Sequence, residues 1–124
     1  MSEALHGVVV CHGNLAKALV EATEQISGVR DALVPISNLD CDRGTLEERI
    51  AAAVGDGPAV VFVDLASGSC LVAVLARLRA RAAVKVVTGV NLAMLVDFVF
   101  HRSQTPEEAA TRAASAGGRA IKVP

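Results

Sequence analysis

Gly7-Val8-Val9-Val10-Cys11-His12-Gly13-Asn14 decides the fold. From Gly7 to Cys11 no position is polar, so neither face of this strand can be turned to water, which is the pattern of a parallel sheet covered on both sides. The run stops at His12, and Gly13 and Asn14 supply a turn and a helix start. Leu15, Leu19, Ala22 and Ile26 then fall on one helical face, predicting a crossover helix with that stripe toward the core.

The same alternation continues along the chain. Ala32 to Ile36, Ala59 to Asp64 and Val84 to Thr88 read as further buried strands. Leu71, Val74, Leu75 and Leu78 form one helical stripe, and Leu92, Leu95, Val96 and Val99 form another. Thr45 with Glu48 predicts a capping box ahead of Leu46, Ile50 and Val54, and Thr105-Pro106-Glu107-Glu108 predicts a second with proline at the first helical position. Gly117 and Gly118 are expected to end the last helix, leaving Arg119 to Val123 as an edge strand. Right-handed crossovers between such units give an α/β fold, a doubly wound three-layer sandwich. Its sheet is expected to be mainly parallel, in the order 2-1-3-4, with an antiparallel C-terminal edge strand.

A chain of 124 residues can bury one core, so residues 1–124 are expected to form a single domain. Although 52% of residues are apolar, the longest runs are too short to cross a bilayer. Glu3 and His6, with a break at Cys11 and His12, do not fit a secretory signal, which points to the cytoplasm. A net charge of -1, with no Trp, no Tyr and three Phe, leaves no stacking platform for bases, so nucleic acid is not expected as a partner. Three cysteines without an export signal read as thiols rather than a disulfide framework.

In a doubly wound sheet the ligand crevice lies beyond the carboxyl ends of the strands, where the winding reverses. The first strand ends at His12 and the third at Asp64, and the 2-1-3-4 order makes these ends neighbours. A carboxylate accepting from one ring nitrogen fixes the tautomer and leaves the other nitrogen nucleophilic, so Asp64 is expected to orient His12 as the catalytic pair. Gly13 and Asn14 open one helix and Gly68 and Ser69 another, offering backbone amides and two positive helix ends as a phosphate-binding hollow. Transfer of a phosphoryl group needs little more than an aligned nucleophile and such donors. The loop Thr88-Gly89-Val90-Asn91 has Gly89 for the turn and Asn91 to cap the next helix, and a site role for it is equally open.

Together these residues resemble a known family. Gly7-Val-Val-Val-Cys-His-Gly-Asn-Leu-Ala is similar to the first strand and active loop of mannose type IIA domains of bacterial sugar phosphotransferase systems. Asp64-Leu-Ala-Ser-Gly-Ser-Cys resembles that family's Asp-x-x-Gly-Gly-Ser-Pro loop, Thr88-Gly-Val-Asn-Leu-Ala-Met-Leu its next strand-to-helix turn, and Gly118-Arg-Ala-Ile-Lys-Val its closing strand. The resemblance implies a phosphotransferase component, a phosphohistidine carrier without a cofactor or metal. By it, His12 accepts the group on Nε2 from HPr, Asp64 holds Nδ1, and a IIB domain receives the group during sugar uptake. It also implies a homodimer, often formed by exchange of the final strand, and membrane contact only indirectly, through a IIC/IID complex. Ser67 and Cys70 depart from the family's glycine and proline.

Other readings stay open. Cys11, His12, Cys41 and Cys70 fall at one sheet edge and could hold zinc, although Cys11 and Cys70 also suit plain packing. The phosphorylation state of His12 could signal to a regulatory partner without any transport role. The phosphocarrier subunit of dihydroxyacetone kinases has a similar histidine loop, but Gly-Val-Asn-Leu favours the mannose type. His6 and His101 read as structural or solvated.

Overall fold

A computed structural model describes residues 4–124. Four strands, β1 (His6–Cys11), β2 (Leu33–Ser37), β3 (Ala59–Val63) and β4 (Val84–Thr88), form one sheet in the order β2-β1-β3-β4, with every pairing parallel. The helices are α1 (Leu15–Ser27), α2 (Arg43–Val54), α3 (Ser69–Leu78), α4 (Leu92–Val99) and α5 (Pro106–Arg119).

Alternation along the strands sorts the side chains into two cores. Val9, Cys11, Val60, Phe62 and Val87 meet α1, α4 and α5, whereas Val8, Val10, Val61, Val63 and Val84 meet α2 and α3. The chain is therefore the expected three-layer α/β sandwich. Phe62 and Phe98 are almost completely buried and meet edge to face, with ring centroids 5.1 Å apart at 72°. A Cβ added at Gly7 would lie 2.9 Å from Phe98 Cε2 and 3.2 Å from Phe62 Cε2, so a glycine is what lets the two rings reach β1.

Five expectations need correction. First, β2 is not buried on both faces: Val34 and Pro35 are exposed, because β2 lies at the sheet edge, where a proline's missing donor costs no ladder bond. Second, α1 is rotated by about one position, with Ala16, Val20 and Thr23 buried while Leu15 and Ile26 are 44% and 61% exposed. Small Ala16 and Thr23, whose hydroxyl donates to the Leu19 carbonyl at 2.7 Å, allow the closer approach. Third, α2 starts three residues earlier than the Thr45 box implies, since Asp42 is its cap and accepts from Thr45 N–H at 2.8 Å.

Fourth, Gly117 and Gly118 do not stop α5. Gly117 is buried where a Cβ would lie 3.1 Å from Met94 Cβ and from Asn91 Oδ1, so its role is close helix approach within the helix rather than a left-handed cap. Its carbonyl accepts from Asn91 Nδ2 at 3.1 Å. Fifth, the antiparallel edge strand is not formed: α5 uses Arg119, and residues 120–124 make no strand. Ala120 N–H and Ile121 N–H are instead spent on the helix end, on Ala116 O and Gly118 O.

The Thr105 capping box and Pro106 are as expected. The Thr105 N–H, and then the Thr105 hydroxyl, donate to the Glu108 carboxylate and hold it below its ordinary value.

Candidate active site

β1 and β3 are adjacent and parallel, so their carboxyl ends deliver His12 and Asp64 side by side. Asp64 Oδ2 accepts from His12 N–H at 2.9 Å and lies 2.8 Å from His12 Nδ1, and Oδ1 accepts from Leu65 N–H at 3.0 Å. Acceptance by the carboxylate puts the ring proton on Nδ1 and leaves the Nε2 lone pair free. Burial pushes the Asp64 carboxyl up, but the hydrogen bonds from His12 and Leu65 and the ring's charge outweigh it and hold the group below its ordinary value. The His12 side chain is 39% exposed and that of Asp64 10%, so the carboxylate is sheltered while the ring faces solvent.

Nε2 faces the start of α3. Ser69 Oγ stands 3.5 Å from it, and a Cβ at Gly68 would lie 3.8 Å away, so the backbone there lies close under the ring. Gly68 has φ +94°, a conformation that suits glycine. The α3 ladder opens with Val72 N–H donating to Gly68 O, and no side chain caps the amides before it. Asn14 likewise precedes α1 without a side-chain cap. By contrast Asp42, Asn91 and Thr105 cap α2, α4 and α5. The two uncapped starts are the two beside His12, where amides and positive helix ends would otherwise go unanswered and favour an anion.

Thus His12, Asp64, Gly68 and Ser69 are brought together. Gly13 and Asn14 lie beside them, with the Gly13 amide engaged: it donates to Asn38 Oδ1 at 3.1 Å, while Gly13 O accepts from Ser37 Oγ at 2.7 Å. Ser37 and Asn38 thus hold the histidine loop at φ +61°, a role sequence reading missed. The signal was present, because β2 neighbours β1 and ends at these two polar residues. Asn91 is occupied by structure: it caps α4 through Met94 N–H and ties Gly117, and Val90 N–H donates to Val63 O.

The cysteines divide. Cys11 packs in the core under α1, α4 and α5, and burial, then the Asp64 and Cys70 charges, push its thiol up to about 12. The Cys41 thiol lies 3.4 Å from Asn38 O. Among the described residues the four-ligand zinc set is not gathered; the one group of three or more candidate ligands is His12, Asp64 and Cys70. His6, which is the first residue of β1, bonds Ala53 O through Nε2 at 3.0 Å, and His101 Nδ1 lies 2.8 Å from Asp97 O, both away from the crevice.

A family model described as the PTS system fructose IIA component matches residues 7–115. The chain belongs to that IIA family. It is therefore a sugar phosphotransferase system component, of the transferase class. Solved IIA structures share its fold. A phosphotransferase system component EIIA from Streptococcus agalactiae is 21% identical, with 96% of each chain covered and a TM-score of 0.88. The mannose/sorbose specific IIA subunit from Enterococcus faecalis is 24% identical, covering 98% of this chain and 96% of that one at 0.84. A sigma-54 interaction domain protein from Enterococcus faecalis, 11% identical over 97% of this chain and 95% of its own, has a TM-score of 0.77. No curated protein sequence matches this IIA chain. Among the described residues no helix is long and apolar enough to cross a membrane.

Proposed function

We propose that residues 1–124 act as one phosphocarrier domain that takes a phosphoryl group on His12 Nε2 from HPr and passes it to a IIB component in sugar uptake. The observation that carries this reading is the 2.8 Å contact of Nδ1 with a sheltered carboxylate, with Nε2 aimed at an uncapped helix start. In the forward step the Nε2 lone pair attacks phosphorus, the bond from phosphorus to the donor nitrogen breaks, and the donor histidine keeps the electron pair. The His12 ring becomes cationic with its proton retained on Nδ1, and Asp64 offsets that charge. Gly68, Ser69 and Asn14, with Gly13 shaping the loop, supply donors for the equatorial oxygens. Transfer onward to IIB is the same step reversed on a new acceptor.

The reading includes a cytoplasmic location, a homodimer, and contact with the membrane only through a IIC/IID complex. Exposed Ile121 and Val123, beyond α5, leave the C-terminal residues available to pair with a second copy, as the family resemblance implies. Incubation with phosphoenolpyruvate, Enzyme I and HPr tests the central step: wild type is labelled and His12→Ala is not. Equal labelling of the two would refute it.

A further inference from the structure

Cys70 stands in the first turn of α3, fully buried, and it reaches the same point as the catalytic pair from a third element. Its Sγ, a ring nitrogen of His12 and a carboxylate oxygen of Asp64 all lie within 4.8 Å of one another. We propose that these three side chains form a binding site for a divalent cation of the zinc class, with the fourth position open to water.

Zinc bonds to sulfur, nitrogen and oxygen of about 2.0–2.3 Å at tetrahedral angles set ligand atoms roughly 3.3–3.7 Å apart, so side-chain shifts of about 1 Å complete the set. A soft thiolate, an imidazole and a carboxylate are a donor set that zinc accepts and that magnesium and calcium do not favour. The half-exposed ring leaves one side of the site toward solvent, as an added water requires. Burial, and then the negative charge of Asp64, push the Cys70 thiol up to about 11. A dication placed between them reverses the effect of that charge: the thiol gives its proton to the medium and the sulfur binds the metal as thiolate. The other thiols do not share the position, since Cys11 packs across the sheet and Cys41 lies against the Ser37 and Asn38 carbonyls.

Coordination occupies a ring nitrogen, so metal-bound His12 cannot keep both its Asp64 partner and a free nucleophilic nitrogen. Zinc and phosphoryl transfer therefore compete. Binding itself does not depend on the carrier reading, and it is measured on unphosphorylated protein, so either can fail alone.

The experiment titrates the reduced, full chain with zinc chloride against a chelating dye, and with cobalt(II) chloride followed by absorption. The expected result is one zinc per chain and a near-ultraviolet thiolate-to-cobalt band that persists in Cys41→Ala and disappears in Cys70→Ala. His12→Gln, at an exposed side chain, weakens zinc binding at least about tenfold, as loss of a ligand must when loss of an outer-shell partner costs 10–100-fold. Absence of saturable binding, a band that survives Cys70→Ala, or affinity unmoved by His12→Gln would each overturn the proposal. Should Cys70→Ala fail to fold, the His12→Gln titration alone decides.

Discussion

Replacing Asp64 by asparagine isolates what the carboxylate's charge contributes. The carboxylate accepts from His12 N–H, His12 Nδ1–H and Leu65 N–H. An asparagine whose oxygen takes the place of Oδ2 keeps both His12 bonds, but its amide hydrogens then face Leu65 N–H, donor against donor. The opposite flip turns the amide toward His12 and loses both of those bonds, so the first orientation wins. Leu65 is exposed, and water can satisfy its amide. The main loss is charge assistance at Nδ1–H while the ring becomes cationic. Bonds to charged groups contribute about 1.5–3 kcal/mol and neutral ones about 0.5–1.5, a difference of roughly 1–2 kcal/mol. At 1.36 kcal/mol per decade, Asp64→Asn slows phosphoryl transfer about 5–30-fold. Rapid-quench transfer from radiolabelled phospho-HPr measures this, with circular dichroism to confirm the fold. A rate within about a factor of two of wild type would remove the carboxylate from the mechanism.

Gly117→Ala should destabilise the protein by about 1–3 kcal/mol despite alanine's higher helix propensity, because the new methyl overpacks the α4–α5 contact. Urea unfolding reads this, and equal or greater stability would show that Met94 and Asn91 yield freely. Gly68→Ala, at φ +94° and ψ −178°, should cost about 1–3 kcal/mol in strain and slow transfer by narrowing the space beside Nε2; an unchanged rate and stability would count against the backbone's part in the site. Phe62→Ala should cost about 3–5 kcal/mol by opening a cavity beside Phe98, and a loss below that range would mean the core collapses around it.

The pH dependence has a definite sign. Asp64 is held below its ordinary 3.8 in the folded protein, so its contribution is complete above that value and fades as pH falls through the lower folded value. Carboxyl carbon NMR should find Asp64 still ionised at about pH 4; midpoint titration above that would contradict the bonding described.

The strand ends carried most of what could be read from the chain. Unbroken apolar runs named β1 and β3, β-branched residues around Lys85 named the edge strand β4, and strand order then put His12 against Asp64 without any need for detailed packing. Periodicity served the helices less well. In α1 an alanine and a threonine outcompete Leu15 and Ile26 for the core, because proximity to the sheet rewards small volume over apolarity. Gly117 and Gly118 carry the signature of a helix stop, yet tertiary contact with α4 makes one of them a packing residue, and only the neighbouring element reveals that. Ser37 and Asn38 were passed over because their function is to hold a backbone 24 or 25 residues away, a relation that no local pattern encodes. Cys70 was rightly grouped with His12, but Cys11 and Cys41 do not join them and Asp64 does, since shared position at a sheet edge does not say where each side chain points.

The most direct measurement is nitrogen-15 NMR of ring-labelled protein after phosphorylation by phosphoenolpyruvate, Enzyme I and HPr. The account predicts one phosphoryl group per chain, bonded to Nε2 of His12, with Nδ1 still protonated toward Asp64. A phosphoryl group on Nδ1, on another residue, or on none would contradict it.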